Sequence, residues 1–212
     1  CDASLQYSSH NLDPGESAPN SFEVENIGNT EWTVTANAQS LDGDDISGWV
    51  DFDSPLSRLL EEPGSSEDSH TFTFDVTPDD SLEAGTQVAI GIQGRAGSEI
   101  GCEKVLTVTV GQEFGASMSL SKSRLSNVEP GTSGTLSIQI TNQGNGQETM
   151  ALGTSGVPPG WQVSFSQSTV TLGSSQSSNN KETVSVDIFV PEDASAESDT
   201  CLLYTSPSPR DM

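Results

Sequence analysis

The side chains able to do chemistry in this 212-residue chain are few in kind: two histidines, three cysteines, three tryptophans and a large excess of carboxylates. Nucleophilic catalysis requires a base held against a nucleophile. His10 and His70 instead sit among serines and other polar residues typical of loops and strand ends. No Gly-x-Ser-x-Gly elbow accompanies them. With 31 Asp and Glu in the chain, two carboxylates close in sequence say little about a paired acid and base. Zinc-ligand spacing and a phosphate-cradling glycine loop are also missing. No catalytic residue is assigned, and the chain is expected to be non-enzymatic.

One acidic stretch has the right atoms for a cation. Leu41-Asp42-Gly43-Asp44-Asp45-Ile46-Ser47-Gly48 offers several oxygens in a glycine-containing loop, as hard divalent ions require. Calcium at Asp42, Asp44 and Asp45 is the one metal or cofactor the sequence suggests. The distal bidentate glutamate of a helix-loop-helix calcium site is lacking, so a solvated acidic loop is the competing reading. The tryptophans divide in the same way. Trp49 and Trp161 hold matched positions and are expected to fill a core, whereas Trp32 has no counterpart and is the better candidate for stacking on a ligand such as a sugar ring.

What must position these residues is a domain used twice. Pro14-Gly15-Glu16-Ser17 returns as Pro130-Gly131-Thr132-Ser133, and Asn26-Ile27-Gly28-Asn29 as Asn142-Gln143-Gly144-Asn145, both 116 residues later. Gly48-Trp49 returns as Gly160-Trp161 after 112, and Pro78-Asp79-Asp80 as Pro191-Glu192-Asp193 after 113. Between the landmarks apolar residues alternate with polar ones: Phe22 and Val24; Phe72, Phe74 and Val76; Val88, Ile90 and Ile92; Leu106, Val108 and Val110. Leu136, Ile138 and Ile140, then Val184, Val186, Ile188 and Val190, repeat the theme. Period two with Pro-Gly and Asn-Gly punctuation predicts short half-buried strands and no helix. Pro-Gly is read as a tight turn between the first strands, and Asn-x-Gly-Asn as a hairpin-type turn.

The fold class expected is all-β, two tandem immunoglobulin-like β-sandwich repeats of about 100 residues each. The first covers 1–111; the second covers 112–200 and is truncated, lacking its last strands. The short junction at Gln112-Glu113-Phe114-Gly115 leaves the repeats little freedom. Residues 1–111 hold 21 acids and 3 bases, and 112–200 hold 9 and 3. A formal charge of -24 disfavours nucleic acid and anionic membrane surfaces as partners.

From Cys201 to Asp211 the chain reads Cys-Leu-Leu-Tyr-Thr-Ser-Pro-Ser-Pro-Arg-Asp, which resembles, codon for codon, the translation of a transposase sequencing adapter. Residues 201–212 are accordingly expected to belong to no domain. The second repeat would then stop where the first still has two strands to come, exposing unpaired edges and an open core. Setting the tail aside leaves Cys1 and Cys102 as the cysteines of the fold.

The second repeat also carries a family resemblance. Val128-Glu129-Pro130-Gly131-Thr132-Ser133-Gly134, Ile140-Thr141-Asn142, Gly156-Val157-Pro158-Pro159-Gly160-Trp161 and Val186-Asp187-Ile188-Phe189-Val190-Pro191 resemble the alpha-galactosidase-associated immunoglobulin-like domains, close to the cell-adhesion-related repeats of archaeal and bacterial surface proteins. The resemblance covers most of 116–200 and, more loosely, 3–110. It implies a non-catalytic structural or adhesive spacer in a secreted or cell-surface multidomain protein. The alternative is an accessory domain of a secreted hydrolase. Neighbouring repeats, and a protein or carbohydrate at the cell surface, are the partners it implies. In such sandwiches the first and last strands often run side by side, so Cys1 and Cys102 are expected to form a disulfide; a lipidated Cys1 is the rival.

Overall fold

A computed structural model describes residues 1–194 and the backbone of residues 202–207. The chain divides into two compact units, Cys1–Gln112 and Glu113–Met212, and it is all-β, with no helix among the described residues. Unit 1 contains β1 (Asp2–Leu5), β2 (Ser9–Leu12), β3 (Ala18–Glu25), β4 (Trp32–Ser40), β5 (Val50–Phe52), β6 (Ser57–Leu60), β7 (Ser69–Val76), β8 (Gln87–Ala96) and β9 (Glu99–Val110). They form two sheets, ordered β1-β3-β7-β5 and β2-β9-β8-β4-β6. The alternating residues meet between them: Phe22, Val24, Phe72, Phe74 and Val76 from one sheet and Val34, Ile90, Ile92, Leu106 and Val108 from the other make one buried cluster.

Unit 2 repeats the scheme with β10 (Ala116–Leu120), β11 (Ser133–Asn142), β12 (Glu148–Ser155), β13 (Gln162–Phe165), β14 (Thr169–Leu172), β15 (Lys181–Phe189) and β16 (Leu202–Pro207). The sheet β10-β11-β15-β13 matches β1-β3-β7-β5, and β14-β12-β16 matches β6-β4-β8. Its core is smaller, centred on Ile138, Ile140, Met150, Leu172, Val184 and Val186. The expectation gave residues 201–212 no element, yet 202–207 pair with β12, Met150 opposite Pro207 and Ser155 opposite Leu202. That slot belongs to β8 in unit 1. A strand edge left open there presents unpaired N–H and C=O groups for another segment to pair with. The rest of 195–212 lies outside the described residues.

Every connection in unit 1 from β1 to β8 leaves one sheet for the other, and the first three show how the crossing is held. Between β1 and β2 the chain switches sheets at Tyr7. The buried Asn20 amide bonds both the N–H and the C=O of Tyr7, at 3.1 and 2.9 Å. Between β2 and β3, Gly15 turns with φ +71°, which a glycine adopts at no steric cost, and donates its N–H to Pro78 O at 3.0 Å. Gly131 repeats this with φ +80° and a bond to Val190 O at 2.9 Å. Pro14 and Pro130 precede these turns.

The Asn-x-Gly-Asn segments are not hairpins. They carry the chain from β3 to β4, and from β11 to β12, which belong to opposite sheets. Asn26 donates to Thr30 O at 2.9 Å and Glu61 O at 2.7 Å and accepts from Gly28 N at 2.9 Å. Asn142 makes the equivalent set, to Gly146 O at 2.7 Å, Gly173 O at 2.8 Å and from Gly144 N at 2.8 Å. Both side chains are buried. Period-two patterning marks strands but not their sheet, which is why a crossover reads as a hairpin.

Cys1 and Cys102 are joined by a disulfide, their Cα atoms 5.8 Å apart and 101 residues apart in sequence. The strand neighbouring β9 in parallel is β2, with Ser9 opposite Thr107 and Leu12 opposite Val110. Cys102 lies within β9 rather than at its start, and Cys1 precedes β1, so the bond ties one sheet to the other.

Two outcomes are expected. Asn26→Ala and Asn142→Ala each strand buried partners and cost about 2–4 kcal/mol, read by amide exchange as faster global opening of unit 1 and of unit 2 respectively. Reducing the disulfide lowers the stability of unit 1 by about 2–4 kcal/mol, read from denaturant midpoints with and without reductant.

Candidate functional site

The loop of residues 41–49 joins β4 to β5 and carries the acidic stretch. Backbone N–H groups, one from β8 and one from the loop itself, engage two of the three aspartates. Asp42 Oδ2 accepts from Ala89 N at 3.0 Å, and Asp45 Oδ1 from Ser47 N at 2.9 Å. The Ser47 hydroxyl, then the Ser47 N–H, holds the exposed Asp45 carboxyl below the usual range. Asp44 joins Asp45 in lining a cleft, but among the described residues no three His, Cys, Asp or Glu side chains gather as ligands of one ion. Asp42, Asp44 and Asp45 are thus neighbours in sequence without converging.

The cleft at this end of unit 1 has a volume of about 560 Å³. One wall is the half of β4 from Ala36 to Ser40; the other is β5, through Val50 and Phe52. Asp44 to Gly48 bound it, together with Leu56. Both walls are sheet edges. β5 ends its sheet, and β6 pairs β4 only from Trp32 to Thr35. The floor is the core itself, because Ala36 belongs to it and Ala38, Ile46, Val50 and Phe52 pack against it. This cleft was not visible in the sequence. It exists because a four-residue strand accompanies a nine-residue one.

The tryptophans part company. Trp49 is buried in the core of unit 1. Trp161 is half-buried and is not among the core residues of unit 2; among the described residues the sheet β14-β12-β16 has three strands where its counterpart in unit 1 has five. Trp32 is partly buried against the core, beside Gly101. A Cβ at Gly101 would approach the Trp32 ring to 3.0 Å and Cys1 Sγ to 3.4 Å. Gly101 thus lies between the Trp32 ring and Cys1 Sγ.

Each histidine has a defined neighbour within unit 1. Asn20 Nδ2 donates to His10 Nε2 at 3.2 Å, and the Tyr7 ring lies 5.6 Å away. His70 meets Phe72 edge-on at 4.7 Å. Partial burial holds both imidazoles below their ordinary pKa, with Arg58 adding repulsion at His70. No nucleophile faces either ring in these contacts.

No family model matches the chain, and no curated protein matches it. Solved structures that it resembles include a chain of the chaperone–tip adhesin complex of CFA/I fimbriae, at 13% identity and TM-score 0.34, covering 98% of this chain and 100% of that one. The class 5 fimbriae chaperone CfaA follows at 10% identity and TM-score 0.32, covering 96% and 98%. The secreted serine protease VesC from Vibrio cholerae aligns at 11% identity and TM-score 0.31, covering 95% of this chain and 49% of VesC.

A base whose pKa is lowered by folding binds its proton first in the unfolded chain. The contribution of His10 and His70 is therefore complete above the unbound value of 6.5 and is lost as pH falls through the lower folded values. Melting temperature should fall on acidification from about pH 7 to 5, and the slope should flatten in a His10→Gln/His70→Gln double variant followed by calorimetry.

Proposed function

We propose that the chain is a non-catalytic spacer of a secreted or cell-surface protein, built from repeated immunoglobulin-like modules that hold a length under load. The observation that carries this reading is the parallel pairing of β2 with β9. The chain runs through β1 into β2 and leaves unit 1 after β9, so once β1 has parted from β3 the two ends depart from opposite ends of neighbouring strands. Tension along the chain then loads all the bonds of that ladder together instead of opening them one at a time. In the oxidised chain the disulfide carries the force from Cys1 directly to β9, so the ladder bears load only when the disulfide is reduced. The repetition of turn, crossover and sheet order in unit 2 supports a modular tether rather than a single binding head. The family resemblance of the second repeat agrees with it.

The test is to stretch the chain from its two ends. Oxidised, unit 1 should release almost no length. Reduced, it should give one abrupt step of about 350 Å, the contour of a hundred residues. Gradual lengthening of unit 1 at low force, in the reduced state, would remove the basis for the spacer.

A further inference from the structure

The cleft between β4 and β5 has the features of a seat for one more strand, and we infer that it binds a short, extended, basic segment of a partner protein. Backbone direction alternates along β4. Leu41 N donates to Ala89 O at 2.9 Å, so odd-numbered residues turn their polar groups toward β8. Ala36 N donates the other way, to Leu56 O at 2.9 Å. By the same alternation the N–H and C=O of Ala38 and of Ser40 point into the cleft, past the end of β6. Opposite them, Asp53 N donates to Thr73 O at 2.9 Å, so Phe52 turns its backbone groups away from β7 toward the same opening.

An edge of this kind is a template for strand addition. The stretch from Ala36 to Ser40 seats about five residues. Alternate side chains of the incoming segment would fall on the apolar floor formed by Ala36, Ala38, Ile46 and Phe52. Charge selects the occupant. Asp44 and Asp45 line the cleft, Asp51 lies on β5 between Val50 and Phe52, and none of the lining residues is Lys, Arg or His. Nearby Arg58 is committed to Glu67 at 3.2 Å. A segment alternating Lys or Arg with an apolar residue matches both rows, whereas a second copy of this chain, net -24, meets repulsion.

The inference names a partner class for the module proposed above and rests on its non-catalytic reading. Stretching tests the spacer and peptide binding tests the cleft, so either can fail alone. The full chain is titrated with a blocked five-residue peptide alternating lysine and valine, with the same peptide carrying glutamate for lysine, and with the lysine peptide N-methylated at its valines. The lysine peptide is expected to bind and to slow amide exchange at Ala38 and Ser40. The glutamate and N-methylated peptides are expected not to bind. Asp44→Asn/Asp45→Asn should weaken binding about tenfold, as loss of about 1.4 kcal/mol, with the melting temperature unchanged. Equal binding of all three peptides, or protection confined to other strands, would overturn the inference. So would protection of Ala38 and Ser40 that rises with protein concentration alone, which would assign the edge to a second copy.

Discussion

A two-sheet sandwich can be made from one chain only if the backbone crosses between layers without abandoning its polar groups in the core. The peptide groups at such a crossing have no ladder to join, and leaving them unpaired costs more than most packing contacts return. A buried carboxamide solves this because it has a donor end and an acceptor end. Asn26 and Asn142 each bond two carbonyls and one N–H, and Asn20 does similar work where the first strand switches sheets. Aspartate lacks the donor and glycine lacks both groups. In both units the same crossing, from β3 to β4 and from β11 to β12, is held by the same residue type.

The alternating apolar residues made the strands and the all-β class legible in the sequence, and the near-constant offsets made the repetition legible. Sheet membership was not, because Phe22 and Val34 carry the same signal although they lie on facing layers. Asn-x-Gly-Asn looked like a hairpin for that reason. The matched tryptophans also misled: Trp49 and Trp161 share a position, but the first is buried and the second half-buried. The aspartate loop left a calcium site and a solvated loop both open because sequence records proximity, not the direction in which Asp42 and Asp45 are turned by Ala89 and Ser47. The cleft left no local trace, since it arises from β6 being shorter than the strand it pairs with.

Charge shapes the surface more than the fold. Unit 1 keeps 21 carboxylates on a frame with 3 bases, and the single ion pair found among the described residues, Arg58 with Glu67, is exposed and worth little. Outward positions along β3 and β7, such as Glu23 and Asp75, absorb this charge without touching the core. Mutual repulsion favours expansion. What opposes it is the apolar cluster between the sheets and the covalent tie between them.

That tie also changes what it takes to break the module. Cys1 and Cys102 close all but the last few residues of unit 1 into a covalent ring. The exposed connections around Asp42 and around Glu62 lie inside that ring. A protease that cuts one of them opens the ring without parting Cys1 from the chain beyond Cys102, and the strands on either side of the nick remain held in their sheets. A single hydrolytic wound inside the ring is therefore silent, and severance there waits for a reductant.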